Sequence, residues 1–231
     1  MMPALVLIPG LLCDQRLWSS QIAALTSEAD ITVADITQQL TISEMAAAVL
    51  ERAPAHFSLA GFSLGSQVAL EIMRTSPMRI DRLALLSTTH GGLLPPVQIA
   101  LRRAIATIEQ GNFDQYLEAA YPTYVAESRA ENLSLKRSFL AMAYTIGPAA
   151  GLRQMQALLA ISAAFTNLDH ILCPTVIVGG QEDRRTTPAA HETLAREIPG
   201  SGLVIVPNAG HFTPLEQPGF VAELLQRWMT S

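Results

Sequence analysis

The sequence predicts an α/β fold: a sheet of about six mostly parallel strands, helices on both faces, and a helical insertion before the last two strands. Two observations carry this. Short runs rich in Val, Ile and Leu alternate with longer helix-patterned stretches, as parallel strands require because both their faces are buried. Between Gly91 and Asp169 the alternation stops, and helical patterning alone fills the gap.

The strands are expected over 4–8, 31–34, 57–60, 83–87, 175–178 and 203–206. A helix over 18–26 joins the first two. The next spans 43–51, with Ser43 as N-cap and Ala, Met, Val and Leu inside. A third follows at 65–75, placing Val68, Ala69, Ile72 and Met73 on one face before Pro77 closes it. Helices over 189–196 and 220–229 complete the core, so residues 1–90 and 170–231 form one body.

Residues 91–169 carry helical patterns at 97–109, 113–120, 129–144 and 151–162, opened by Gly91-Gly92 and Pro95-Pro96. An all-helical insert between two strands reads as a cap over the strand ends, where open α/β sheets bind ligands. The plainer alternative is an elaboration that only thickens the core.

Composition bounds the rest. A chain of 231 residues, 49 % hydrophobic and 15 % charged, builds a full core without staples and is not disordered. A net charge of −5, with one Lys (Lys136) and no basic run, argues against nucleic acid as a partner. Cys13 and Cys173 are too few for a disulfide framework or a zinc site. The apolar start lacks a preceding Lys or Arg, and Leu12 stands where a lipidated Cys13 would need a small residue. The longest apolar runs, 4–13 and 158–165, fall short of the roughly 20 residues that span a bilayer. A cytoplasmic protein, monomeric or homodimeric and without a membrane partner, is expected.

Gly61-Phe62-Ser63-Leu64-Gly65 is the strongest chemical signal. It lies between an apolar strand and an amphipathic helix, the setting of a nucleophile elbow, where larger side chains at the glycines would collide with backbone. A serine hydroxyl needs a base to take its proton. His211, in the loop after the last strand, opens at the same sheet edge as Ser63. His56 and His170 precede their strands and fall at the wrong edge, and His191 reads as a helix-surface residue. His90, after the fourth strand, reads as a pocket wall or substrate contact.

The base needs a carboxylate to hold its tautomer. Asp183, after the fifth strand, completes the order Ser…Asp…His, with Glu182 as competitor. The loop after 83–87 offers no acid. Oxyanion donors are expected from the backbone N–H groups of Leu64 and Leu11, the latter after Gly10 in the first loop. Cys13 packs as a small apolar group, and Asp14 serves as a cap or loop acceptor.

On segments 7–14 with Trp18, 60–68, 178–188 and 207–216, the chain resembles the α/β-hydrolase superfamily, specifically its small capped bacterial carboxylesterase-like members. The resemblance runs over essentially the whole chain. It implies a parallel-sheet core, a helical cap and no cofactor, and it carries Ser63, Asp183, His211, Leu11 and Leu64 over in the roles above. Three departures stand out: Pro9-Gly10 replaces the usual His-Gly, the N-terminal antiparallel strand pair is missing, and Ser66 replaces a frequent glycine.

The expected activity is serine hydrolysis of a small carboxylic ester or thioester. C–C bond hydrolysis, enol-lactone opening and cofactor-free perhydrolysis use the same scaffold, and a low-turnover receptor is the alternative of another class. Cap aromatics, Tyr116 and Tyr124 among them, together with His90 and Phe212, are the expected substrate contacts. They would line an apolar pocket suited to a short acyl group.

Overall fold

The computed structural model describes residues 2–161 and 168–230. Its six strands are β1 (Ala4–Ile8), β2 (Asp30–Val33), β3 (Phe57–Phe62), β4 (Ile80–Leu86), β5 (Thr175–Gly180) and β6 (Gly202–Val206). They form one sheet in the order β2-β1-β3-β4-β5-β6, parallel throughout. Val6 sits opposite Leu59, Leu59 opposite Leu83 and Leu83 opposite Thr175. Every residue of β3 and β5 is buried, which explains why each is apolar but for one small hydroxyl residue, Ser58 and Thr175; the edge strand β2 alternates half-buried with exposed.

The core helices are α1 (Ser19–Leu25), α2 (Ile42–Arg52) and α3 (Leu64–Thr75). The helices α4 (Pro95–Glu109), α5 (Phe113–Tyr124) and α6 (Leu133–Leu159) lie between β4 and β5. The chain ends with α7 (Pro188–Glu197), α8 (Thr213–Glu216) and α9 (Pro218–Thr230). The connection β1 to β2 steps one way along the sheet and β2 to β3 steps back. Right-handed crossovers therefore put α1, which packs on α9, on one face and the α2–α3 pair on the other. That reversal opens a crevice at the carboxyl ends of β1 and β3.

Several local expectations are corrected. Thr41, not Ser43, caps α2: its hydroxyl accepts the Glu44 N–H at 3.1 Å, while Ser43 donates to Glu71 at 2.6 Å. Thr41 precedes an acidic residue by three, and Glu44 reaches back to the Leu40 N–H, so both ends of the motif are satisfied. A 3₁₀ turn over Gln15–Trp18, capped by Asp14, precedes α1, so the α-helix starts at Ser19 rather than Trp18. The expected helix over 113–120 continues to Tyr124 despite Pro122. Tyr121 is buried, and its hydroxyl ties that end to the carbonyls of Arg129 and Asn132. The patterns at 129–144 and 151–162 merge into α6, which begins only at Leu133 under an Asn132 cap and is broken at Gly147, where φ is +78°. The expected end of the latter, Ser162, and the aromatic Phe165 lie outside the described residues.

Candidate active site

Ser63 joins β3 to α3 in a conformation that side chains rarely adopt, φ 53° and ψ −111°. Such strain persists only where the surroundings impose it, and two features do so. A Cβ on Gly65 would collide with the Ile8 carbonyl, so the helix start lies directly on the end of β1. Ser66, fully buried, donates to the Gly61 carbonyl at 2.6 Å and accepts the Leu86 N–H at 3.2 Å, tying the elbow to β4. The residue that departs from the family pattern thus has a structural task of its own.

Two loops converge on the serine. Asp183 follows β5 and His211 follows β6, and both side chains are buried. A Cβ on Gly180 would strike the Gly210 carbonyl, so only glycine lets the two loops meet. His211 Nδ1 donates to Asp183 Oδ2 at 2.8 Å, and its Nε2 accepts from Ser63 Oγ at 2.9 Å. The Asp183 carboxylate also accepts the N–H groups of Arg185 (2.8 Å) and Thr186 (2.9 Å) and the Thr186 hydroxyl (2.7 Å). Burial pushes its carboxyl up, but the charge and hydrogen bond of His211, with the Thr186 donors, outweigh it and hold the group at about 2. The carboxylate is therefore acceptor-only and presents the ring with Nε2 toward the serine. Glu182 is half-buried, and its N–H donates to the Ala209 carbonyl.

The loop after β1 lies across from these two. Neither the Leu11 N–H nor the Leu64 N–H, the latter at the first position of α3, has an acceptor among the described residues. The Leu12 N–H differs: it donates to Gln154 Oε1 at 3.0 Å. Cys13 is buried, and burial pushes its thiol far above the ordinary range, so it stays a neutral packing group. Asp14 accepts the Arg16 N–H at 2.9 Å as a cap.

Tyr124, at the end of α5, packs its ring 5.6 Å from His211 and 4.8 Å from Phe212. Phe212 is buried between Phe62 and Tyr124, and its N–H donates to the Tyr124 carbonyl at 3.0 Å. Burial and the neighbouring Tyr124 push the Tyr116 phenol well above its ordinary value. His90 is half-buried and makes no hydrogen bond or ring contact with this group. Arg184 donates to the Pro122 carbonyl at 2.6 Å; Arg185 donates to Thr123 at 3.1 Å and stacks its guanidinium 4.2 Å over the Tyr124 ring. Both arginines therefore clasp α5. A cleft of about 470 Å³ lies elsewhere, between Arg16, Ser20, Arg137, Ser138 and Leu215.

Besides the bonds of Ser66 and Gln154, two buried side chains escaped sequence reasoning. His191 is not on a helix surface: it is fully buried, donates from Nδ1 to the Thr187 carbonyl at 3.0 Å, and accepts the Thr88 N–H at Nε2. Burial lowers its pKa, and these partners fix the neutral form. A histidine on the inner face of a helix packed against β5 and β6 carries no periodicity signal separate from its apolar neighbours. Glu216 accepts the N–H groups of Gly210 (2.9 Å) and Ala126 (2.8 Å), joining the His211 loop to the end of α5. Among the described residues, no group of three or more His, Cys, Asp and Glu side chains is gathered to hold a metal, and no helix is long and apolar enough to cross a membrane.

Comparison with known proteins places the chain in a family. The model of a family described as the alpha/beta hydrolase family matches residues 5–224. A pimeloyl-[acyl-carrier protein] methyl ester esterase of Nitrosomonas europaea is 22 % identical over 94 % of this chain and 91 % of its own length. A putative carbamate hydrolase of Escherichia coli is 25 % identical over 99 % and 92 %. Among solved structures, a thermophilic esterase from Thermogutta terrifontis superposes with a TM-score of 0.89 at 24 % identity, covering 100 % of this chain and 90 % of its own.

Proposed function

Because the chain belongs to the alpha/beta hydrolase family, we propose that it is a serine hydrolase cleaving a small carboxylic ester or thioester through an acyl-enzyme on Ser63. The observation that carries this reading is the unbroken line of hydrogen bonds from Asp183 through His211 to Ser63. Ser63 Oγ attacks the carbonyl carbon as its proton passes to His211 Nε2. The carbonyl oxygen, now negative, accepts the N–H groups of Leu11 and Leu64. The tetrahedral adduct collapses, breaking the bond to the alcohol or thiol, which leaves with the proton from His211. Water then gives a proton to the same nitrogen and attacks the acyl carbon; the second adduct collapses as His211 returns that proton to Ser63 Oγ, releasing the acid and free Ser63. Asp183 stabilises the imidazolium in each half and keeps its own proton off.

In this reading residues 91–169 form the cap, brought to the reaction centre by Tyr124, whose ring stands beside His211. A carbamate is the second reading, since the chain resembles a putative carbamate hydrolase along almost its full length. The same nucleophile and donors would serve a carbamate carbonyl.

Treatment with a fluorophosphonate followed by mass spectrometry tests the reading. One adduct per chain on Ser63, absent from Ser63→Ala, is expected. Folded protein that takes up no adduct would sink the proposal.

A further inference from the structure

We propose that Gln154, on helix α6, is a positioning residue for the oxyanion loop. The inference rests on the assignment of Leu11 as a donor in the preceding reading and goes beyond it. Gln154 is fully buried, and its Oε1 accepts the Leu12 N–H at 3.0 Å across 142 residues of sequence. Leu12 has φ +56°, a left-handed conformation that a branched side chain does not hold unaided. The loop needs supports: the Cys13 thiol donates to the Leu11 carbonyl at 3.3 Å from within it, and three further supports are present. Cys13 N–H closes a turn onto the Gly10 carbonyl at 3.1 Å. Helix α6 comes so close at Gly151 that a Cβ there would stand 2.8 Å from the Leu12 side chain. Gln154 supplies the third, and it is the only one of the three made by a side chain's polar atom.

The physical consequence follows from the burial of Leu12. A buried N–H without an acceptor is costly. Removing the Gln154 carbonyl would drive the loop to rotate until the Leu12 N–H finds another partner. Leu11 is one peptide away, so its N–H would move off the line on which the oxyanion develops. The serine, base and acid sit on other loops and would stay in place. The helical segment therefore sets the oxyanion geometry directly, besides walling the substrate.

The test uses the full chain and the fluorophosphonate-reactive protein. Gln154→Met removes the acceptor at similar volume, Gln154→Asn keeps a polar group too short to reach, and Gln154→Glu retains an acceptor oxygen. The first two should lower kcat on an aryl ester about 10- to 100-fold, less than the roughly 10²- to 10³-fold lost with a whole oxyanion donor because the Leu11 N–H is displaced and not removed, with KM within about twofold. Affinity for a trifluoromethyl ketone, whose adduct places an oxyanion in the same position, should fall in parallel. The pH profile of these two variants should be unchanged, and Gln154→Glu, held protonated by burial with its hydroxyl toward the Ile36 carbonyl that Nε2 now faces, should recover most of the loss. A lower Tm with unchanged kcat and ketone affinity would overturn the inference, as would a shifted pH profile. If Gln154→Met fails to fold, Gln154→Asn carries the same comparison. Ser63→Ala run alongside separates the two readings: if it keeps activity, the serine mechanism itself is wrong, whereas inactive Ser63→Ala beside a normal Gln154→Met rejects only this role.

Discussion

The main-chain N–H of Gly210, immediately before His211, donates to the buried carboxylate of Glu216 at 2.9 Å. The second oxygen of that carboxylate holds Ala126, so the loop that carries His211 and the helical segment share one anchor. Glu216→Gln can accept only one of the two N–H groups and should cost roughly 1–3 kcal/mol. Glu216→Ala should cost about twice as much. Thermal melts give the stability; kcat on an aryl ester should fall about tenfold in Glu216→Gln, because His211 loses its fixed approach.

Ser63→Ala and His211→Ala should each reduce kcat/KM by about 10⁵- to 10⁶-fold, more than any change of the acid, and the double variant should be little worse, because the groups act as a unit. Asp183→Asn should lose about 10⁴-fold by disturbing the tautomer, whereas Glu182→Gln should stay within a few-fold of the parent. A larger loss in Glu182→Gln than in Asp183→Asn would transfer the acid to Glu182.

The acid limb of stability carries a signature of Asp183. Its carboxyl titrates at about 2 in the fold against 3.8 for a free one. Between these values the unfolded chain binds more protons, so stability rises with pH through the window and is lost as pH falls through it. The increment is about 2 kcal/mol. Urea midpoints measured from about pH 2 to about pH 4 should climb more steeply for the parent than for Asp183→Asn.

Among the described residues no carboxylate pairs with the Arg185 guanidinium, which is stacked on Tyr124 and bonded to Thr123. Arg185→Ala should raise KM about tenfold for esters with a distal carboxylate and leave neutral esters unchanged, and added salt should act in the same direction. Equal effects on both substrate types would reject an anion-binding role.

A panel of aryl esters of increasing acyl length should show kcat/KM highest for short to medium chains, without a jump at micelle formation. A steady rise through long chains, with interfacial activation, would point to a lipase.

The sheet was legible because each strand is a short apolar run, and the positions of Ser63, Asp183 and His211 followed from where those runs end. Boundaries moved where a cap or a buried tyrosine decided them, as at Thr41 and Tyr124. What the sequence hid is of one kind. Ser66, Glu216, His191 and Gln154 each bond to main-chain atoms 20, 90, 103 and 142 residues away. Main-chain partners leave no trace in side-chain patterns. His191 and Gln154 in particular look like ordinary helix residues until the packing is known.

The clasp on α5 has a consequence for how such a protein can change. Arg184 meets the Pro122 carbonyl, Phe212 meets the Tyr124 carbonyl, and Glu216 meets the Ala126 N–H. All three grips close on peptide groups, and peptide groups are the same whatever residues bear them. The outward side chains of α5 can therefore be replaced, by drift or by design, while these three grips survive; Tyr121, Thr123 and Tyr124 are held by their own side chains and must stay. On the function proposed above, recognition can be rewritten at those outward positions without relearning the chemistry, provided the backbone trace is kept and a glutamine-like acceptor still reaches Leu12.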